Sequence, residues 1–398
     1  MSAIVTGVKT DAGILSLAAG VEKGDCASAE GQHVETLLEQ LEARGWATGV
    51  VSTATLTHAT PAANYAHAAD RGWENDTRIP KDQRGLGCTD IAQQLIEFDI
   101  GDGLEVAMGG GRANFLPAET ADPEFPARTG LRLDGRNLAE EWASREGADW
   151  VWNTRDFDAI DPAKTKHLLG LFNPSHMQYE LDRPNDKGGE PSLAQMTRKA
   201  LEILHRDEDG YLLIVEGGRI DHAHHATNAK RALYDTVALA DAVKVADDMT
   251  RDDETLILVT ADHSHTLSVS GYSSRGNPVL GVAAVDGKPL RASDGEPYTT
   301  LSYANGRGGQ YLEESIDELG NPGNYRVDPP AGRRFDHDSA DTTADGYYQE
   351  SLVPLRSETH GGEDVALYAK GPWAHLFKGT AEQSYIYYVM RHAAGATP

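Results

Sequence analysis

Helix patterns and strand patterns alternate along much of the chain, and this alternation constrains the fold more than any other feature of the sequence. The helix patterns carry an apolar stripe with a period of about 3.6 residues, whereas the strand patterns are short apolar runs. Three helix and strand pairs are residues 32–44 with 47–52, 90–98 with 104–108, and 192–204 with 211–215. This order predicts an α/β fold in which helices flank a large, mainly parallel central sheet.

The pattern changes in the second half of the chain. A long helix pattern at residues 229–249 and a buried-strand pattern at 256–259 are followed by Gly-rich, Pro-rich and short β-like pieces. Alternation resumes weakly before a final helix pattern at 382–393. We therefore predict one domain over residues 1–398, with an insertion at 268–354.

Composition limits the partners of the chain. Its formal net charge of −26 would repel nucleic acid and anionic lipid head groups. No apolar run is long enough to span a membrane. The two cysteines, Cys26 and Cys88, are compatible with two buried thiols or with one disulfide, and their spacing alone does not decide between these.

Metal-binding residue types follow the strand pattern 211–215. Glu216 comes directly after that strand, and the carboxyl ends of strands are where open α/β sheets bind their ligands. Asp221 and His225 are four positions apart, so on a helix both side chains reach one ion from the same face. The segment therefore offers two ligands for one metal and a further carboxylate.

A second strand end repeats this arrangement. The strand pattern 256–259 leads into Asp262 and His263, and His360 lies in a loop with flanking glycines. Mixed carboxylate and imidazole ligands suit zinc, whereas oxygen ligands such as Glu216 suit magnesium. Each pair alone could equally cap a helix or bind backbone in a turn, but their repetition at successive strand ends favours a metal site.

Other polar residues are open to plainer interpretations. His58 and Thr60 follow the strand pattern 47–52, where they could form an ordinary turn before proline, and Arg71 could be a surface charge. His222 and His224 lie in the same cluster as Asp221 but could be exposed on the helix. We interpret His265 and His375 as structural or surface histidines, and Gly109 to Gly111 as a turn.

Six motifs in order along the chain resemble those of alkaline phosphatases. Residues 216–225 read EGGRIDHAHH, which resembles the central signature of that family. The other five are TGVKT at 6–10, HATPA at 58–62, LLGLF at 168–172, TADHSH at 260–265 and ETHGGEDV at 358–365. The resemblance runs through nearly the whole chain and is highly specific.

The resemblance implies a two-zinc, one-magnesium phosphatase that hydrolyses phosphate monoesters through a phosphoserine intermediate. It implies that the first zinc is bound by Asp221, His225 and His360, and the second by Asp262 and His263. It implies that magnesium is bound by Glu216 and Thr60, and the substrate phosphate by Arg71. It also implies that His58 and His222 lie next to the residues that bind magnesium and phosphate. Arginine suits the phosphate role because it can donate two parallel hydrogen bonds.

The histidine-rich central motif and His58 resemble the animal-like branch of the family. That branch pairs two cysteines at positions matching Cys26 and Cys88, which implies a disulfide and a periplasmic or secreted protein. The insertion at 268–354 would correspond to the crown that caps the family's homodimer.

One family motif has no counterpart in the chain. The Asp-Ser-Ala motif that carries the nucleophilic serine ordinarily stands shortly before Thr-Gly-Val-Lys-Thr, so we expect that serine, a metal-binding aspartate, the first strand and a signal peptide upstream of Met1. Two alternatives are a truncated remnant that binds metal and phosphate without turnover and a related phosphodiesterase.

Overall fold

The computed structural model describes residues 1–307 and 340–396. The described strands are β1 (Ala47–Thr55), β2 (Val106–Gly110), β3 (Ala148–Val151), β4 (His167–Leu171), β5 (Tyr211–Glu216), β6 (Ile257–Val259), β7 (Ser264–His265), β8 (Leu267–Val269), β9 (Ala284–Val285), β10 (Lys288–Pro289), β11 (Leu301–Gly306), β12 (Ser351–Pro354), β13 (His360–Gly361) and β14 (Tyr368–Lys370). The described α-helices are α1 (Ser2–Thr6), α2 (Cys26–Ala29), α3 (Leu37–Glu42), α4 (Ala59–Tyr65), α5 (Ile91–Ile96), α6 (Arg112–Phe115), α7 (Leu138–Ala143), α8 (Thr154–Ala159), α9 (Leu193–Leu204), α10 (Arg219–His225), α11 (Ala229–Met249) and α12 (Ser384–Ala393).

The central sheet has five strands in the order β3-β4-β2-β1-β5. All four pairings are parallel, which confirms the predicted sheet. Successive residues of β1 face opposite sides, so Val50 packs into one apolar core and Val51 into the other. Helices α4, α5 and α7 contribute to the first core and α9 to the second, giving three layers.

Helix α3 begins later than its sequence pattern predicts. The apolar stripe suggested a start at residue 32, but the helix begins after Thr36. The Thr36 side chain accepts a hydrogen bond from the backbone of Glu39, whose carboxylate accepts one from the Thr36 backbone. This capping box fixes the first turn and overrides the longer apolar pattern.

The three glycines at 109–111 form less of a turn than predicted. Gly109 and Gly110 belong to β2, and only Gly111, with φ of 95°, turns the chain. A Cβ atom on Gly110 would lie 2.2 Å from the carbonyl oxygen of Ser175. Close backbone packing therefore explains the glycine at position 110.

Smaller sheets lie apart from the central one. Strands β6 and β14 pair antiparallel, and β8, β11 and β12 form a three-stranded sheet. Short strands occur in the described parts of the predicted insertion 268–354, as its sequence suggested, while residues 308–339 lie outside the described residues. The assignment of residues 1–398 to one domain with a crown-like insertion stays a prediction.

Across residues 1–307 and 340–396, none of the helices has the length and apolar character needed to cross a membrane.

Cys26 and Cys88 form a disulfide that closes a loop of 62 residues. Replacing both cysteines by serine is expected to lower the free energy of unfolding by about 2–4 kcal/mol, because the open loop gains conformational freedom in the unfolded chain. Chemical denaturation of the variant and the parent, each fully metal-loaded, measures this difference. Equal midpoints and slopes would contradict the expected stabilisation.

His67 links three segments and makes stability depend on pH. Its Nδ1 donates to the carbonyl of Ser16 at 2.7 Å and its Nε2 lies 2.9 Å from a carboxylate oxygen of Glu39, with both side chains at most 10% exposed. Although burial alone would lower the pKa of His67, the hydrogen bond and charge of Glu39 raise it above its ordinary value of 6.5. The stabilisation is therefore complete below pH 6.5 and is lost as the pH rises through the pKa of the folded state.

We therefore expect His67→Gln to destabilise the protein by about 1–2 kcal/mol below pH 6.5 and by less above pH 8. Unfolding curves across this pH range test the sign, with the exposed His375→Gln as the matched control. A loss that grows with rising pH would contradict this interpretation.

Candidate active site

The first site residues follow the carboxyl ends of two neighbouring strands. Strand β1 leads to His58, which precedes helix α4, and Thr60 lies in the first turn of that helix. Strand β5 ends at Glu216, and helix α10 follows at once and carries Asp221. Because β1 and β5 are parallel neighbours, both connections open on the same edge of the sheet.

All ten residues singled out by sequence line one cleft with a volume of about 490 Å³. They come from separate parts of the chain and are His58, Thr60, Arg71, Glu216, Asp221, His222, His225, Asp262, His263 and His360. The fold therefore brings together every predicted site residue.

Asp221 lies at the centre of a ring of imidazoles. Its Oδ1 atom is 3.4 Å from Nε2 of His225, 3.5 Å from Nε2 of His360 and 3.8 Å from Nε2 of His263. The Nε2 atoms of His225 and His360 are 3.2 Å apart. One carboxylate oxygen and two imidazole nitrogens thus converge within reach of a single ion.

A backbone contact orients one of these imidazoles. Nδ1 of His225 donates to the carbonyl oxygen of Glu358 at 2.6 Å, which leaves the Nε2 lone pair facing Asp221. A hydrogen bond from the far ring nitrogen, as His225 makes, is typical of metal-binding histidines. His360 lies on β13, which pairs antiparallel with β7.

Asp262 and His263 follow β6 and lie beside this group. The ring of His263 stacks on that of His360 with centroids 3.5 Å apart. Nε2 of His263 is 3.7 Å from a carboxylate oxygen of Asp262. Asp262 and His263 therefore offer a second pair of ligand atoms next to the first group.

His265 and Glu358 belong to the site although the sequence patterns did not indicate them. Nε2 of His265 lies 2.8 Å from Oδ1 of Asp221, and Nδ1 lies 2.7 Å from the carboxylate of Glu358. Glu358 is 1% exposed and also accepts from Thr266. The interpretation of His265 as a structural or surface residue was incomplete, since it touches Asp221; its position in the TADHSH motif was the only available signal.

The chemistry of this group fits a divalent cation. Oδ1 of Asp221 and Nε2 of His265 are buried, and neither has a well-aligned hydrogen bond despite their short separation. Burial alone would raise the pKa of Asp221, but the contact with His265 and the surrounding imidazoles hold it well below its ordinary value. An ionised carboxylate among imidazole nitrogens is a donor set that zinc prefers.

Glu216 forms an oxygen-rich corner of the cleft. Burial raises its pKa to about 7, and hydrogen bonds from Ser52 and Thr60 oppose that rise. Ser52 is the direct neighbour of Glu216 in the pairing of β1 with β5, and its hydroxyl donates to the Glu216 carboxylate. Carboxylate and hydroxyl oxygens fit a hard cation such as magnesium. The sequence did not distinguish Ser52 from the other buried residues of β1.

Arg71 brings a positive charge to the cleft. Its guanidinium is exposed, and Nη2 donates to Nε2 of His58 at 3.0 Å. Within residues 1–307 and 340–396, no carboxylate pairs with Arg71 at ion-pair distance. Burial and the charge of Arg71 lower the pKa of His58 below its ordinary value, which favours the neutral ring.

His222 completes a cluster of three imidazoles with His58 and His176. Its ring lies 4.3 Å from that of His176 and 5.3 Å from that of His58, measured between centroids. Burial, with the neighbouring His176 and Arg219, holds the pKa of His222 well below its ordinary value. His224 faces elsewhere, since its Nδ1 lies 2.8 Å from the Tyr303 hydroxyl.

Comparison with known proteins gives one consistent result. The family model described as alkaline phosphatase matches residues 1–396. The tissue-nonspecific isozyme of alkaline phosphatase from Gallus gallus is 40% identical over 405 residues, covering 100% of this chain and 73% of that protein. The alkaline phosphatase of Gadus morhua is 40% identical over 399 residues, covering 99% of this chain and 78% of that protein.

A solved structure agrees with this result. The crystal structure of Thermus thermophilus alkaline phosphatase matches with a TM-score of 0.66 and 25% sequence identity, covering 100% of this chain and 79% of that chain.

Proposed function

The chain belongs to the alkaline phosphatase family, and on that premise we propose that its cleft binds two zinc ions, one magnesium ion and the phosphate group of a phosphate monoester. Hydrolysis of phosphate monoesters is the known activity of this family, which agrees with the resemblance in the motifs. The observation that carries the proposal for the site is that ten residues from distant segments line one cleft.

We assign the first zinc to Asp221, His225 and His360. The mutual approach of their ligand atoms supports this assignment, as does the hydrogen bond that turns Nδ1 of His225 away from Asp221. The second zinc is assigned to Asp262 and His263, which lie beside the first group.

Magnesium is assigned to Glu216 and Thr60, and His58 is assigned a place next to these ligands. The raised pKa of Glu216 supports this, because a buried carboxylate with two hydroxyl neighbours gains from a cation. When bound, such ions supply charge stabilisation for the transferred phosphoryl group and for the attacking and leaving oxygens.

Arg71 is assigned to the substrate phosphate. Its exposed guanidinium can donate two parallel hydrogen bonds to phosphoryl oxygens, a geometry that lysine cannot reproduce. The contact with His58 holds the guanidinium at the cleft and leaves its other donors for the ligand. A full positive charge favours a dianionic monoester over a monoanionic diester.

The experiment that tests the activity compares an aryl phosphate monoester with the matching diester, using protein that includes the predicted upstream serine and is loaded with zinc and magnesium. We expect monoester hydrolysis to exceed diester hydrolysis by at least about 100-fold, from the charge difference at Arg71 and the metals. Faster cleavage of the diester would favour the phosphodiesterase, and phosphate binding without turnover would favour the non-catalytic remnant. The position of the nucleophilic serine stays a prediction.

We further propose that the protein works as a homodimer outside the cytoplasm. The disulfide supports an oxidising compartment. Apolar residues on the small sheet of the insertion support an interface, because Val269 is 72% and Leu352 is 85% exposed. Sedimentation of the full chain tests the dimer, and introducing charge by Leu352→Glu should shift it to monomer.

A further inference from the structure

His222 lies between the cleft and a buried arginine. Its side chain lines the cleft, and its Nδ1 atom lies 3.1 Å from Nη1 of Arg219. Arg219 is only 2% exposed, and it is not among the residues that line the cleft. The arginine therefore contacts the histidine from the side away from any bound substrate.

The chemistry of this contact decides which ring nitrogen of His222 carries the proton. A guanidinium has only N–H donors and keeps its charge in proteins. Nδ1 of His222 must therefore accept the hydrogen bond from Arg219. It cannot carry a proton, because the N–H of a protonated Nδ1 would point at an N–H of Arg219. The single proton of the neutral ring is on Nε2, the nitrogen directed away from Arg219.

Arg219 is itself held firmly in place. Its backbone N–H donates to the hydroxyl of Thr53 on β1 at 3.1 Å. Its guanidinium carbon lies 3.7 Å above the centre of the Tyr179 ring, a cation–π contact with a residue that is 1% exposed. The central sheet and Tyr179 thus fix the donor that faces His222.

A second arginine has the opposite effect on a neighbouring histidine. Nη2 of Arg71 donates to Nε2 of His58, so the proton of neutral His58 is on Nδ1. The two imidazoles, whose centroids are 5.3 Å apart, therefore hold different tautomers. Each tautomer is set by the arginine that contacts the ring.

We propose that Arg219 is a positioning residue that fixes His222 as an Nε2–H donor to the phosphoryl oxygens of the substrate. This inference rests on the proposed function, because it takes a phosphate group as the ligand of the cleft. Arg219 touches no reacting atom; it acts by denying His222 the alternative tautomer.

Nitrogen-15 spectra of the histidine rings test the tautomer without any need for turnover. In the full chain loaded with zinc and magnesium, we expect His222 to show an unprotonated Nδ1 and a protonated Nε2, and His58 to show the reverse. His222→Ala and His58→Ala assign the signals. A wild-type His222 with its proton on Nδ1 would overturn the proposal by itself.

Substitution of Arg219 tests its part in this arrangement. We expect Arg219→Met to give averaged nitrogen signals for His222 while the His58 signals stay unchanged, and Arg219→Lys, which keeps a donor, to retain the Nε2–H form. Unchanged His222 signals in the folded methionine variant would contradict the assignment.

A double-mutant cycle on inorganic phosphate binding separates positioning from a purely structural role. Arg219→Met should weaken phosphate binding about tenfold in the wild-type background, as expected for one hydrogen bond to a charged ligand, and should have no effect once His222 is Ala. Equal losses in both backgrounds would show that Arg219 acts independently of His222. Failure of the wild type to bind phosphate at all would instead contradict the proposed function, leaving the tautomer result intact.

Discussion

Replacing Asp221 by Ala is expected to lower the affinity of the chain for zinc by about 100- to 1000-fold, because structural zinc sites derive roughly 10–16 kcal/mol from about four ligands. The loss should be large here because Asp221 supplies the oxygen on which four imidazole nitrogens converge. In protein that includes the predicted upstream serine, phosphatase activity should fall with zinc occupancy. Competition with a chelator of known affinity measures the zinc constant directly.

The exposed Asp241→Ala on helix α11 is the matched control for this change, because it removes an equal charge from a side chain that does not line the cleft. It should leave zinc affinity unaltered. If Asp221→Ala binds two zinc ions as tightly as the control does, the proposed first zinc site is wrong.

Arg71→Ala is expected to weaken inhibition by inorganic phosphate by at least about 100-fold, since each hydrogen bond to a charged partner contributes about 1.5–3 kcal/mol and the proposed contact has two. Zinc content should stay the same, because Arg71 is not a metal ligand. Inhibition constants, or calorimetric titration with phosphate, give the change. Arg71→Lys should recover only part of the loss, because an ammonium cannot donate in the same planar geometry.

The exposed Arg78→Ala provides the control for a lost positive surface charge, because Arg78 does not line the cleft. We expect its phosphate inhibition to match the parent within about twofold, as screened surface charges contribute little. Unchanged inhibition in Arg71→Ala would remove the basis for assigning the phosphate to that arginine.

The predicted fold followed from patterns that depend on few residues. The alternation around β1 and β5 was readable because each strand is a short apolar run next to a helix with its own cap, such as Ser192 before α9. Helix boundaries were less predictable, as Thr36 shows. There the first turn depends on one hydroxyl and one carboxylate rather than on apolar spacing.

The site was predictable where a residue type stands at a strand end with ligand spacing. Asp221 and His225 are four positions apart on one helix, and the structure brings both beside His360. Residues whose role depends on contact between distant segments were not predictable. Glu358, for example, binds His265 across 93 positions. Arg219 and His222 are only three positions apart, but their contact depends on the positions of individual side-chain nitrogens, which residue spacing does not show.

The most direct test of the proposed centre is anomalous diffraction at the zinc absorption edge from crystals of the chain loaded with zinc and magnesium. We predict two peaks roughly 4 Å apart, one bound by Asp221, His225 and His360 and the other by Asp262 and His263. A single peak held by Asp221, His263 and His265, a group whose ligand atoms also lie close together, would contradict this account.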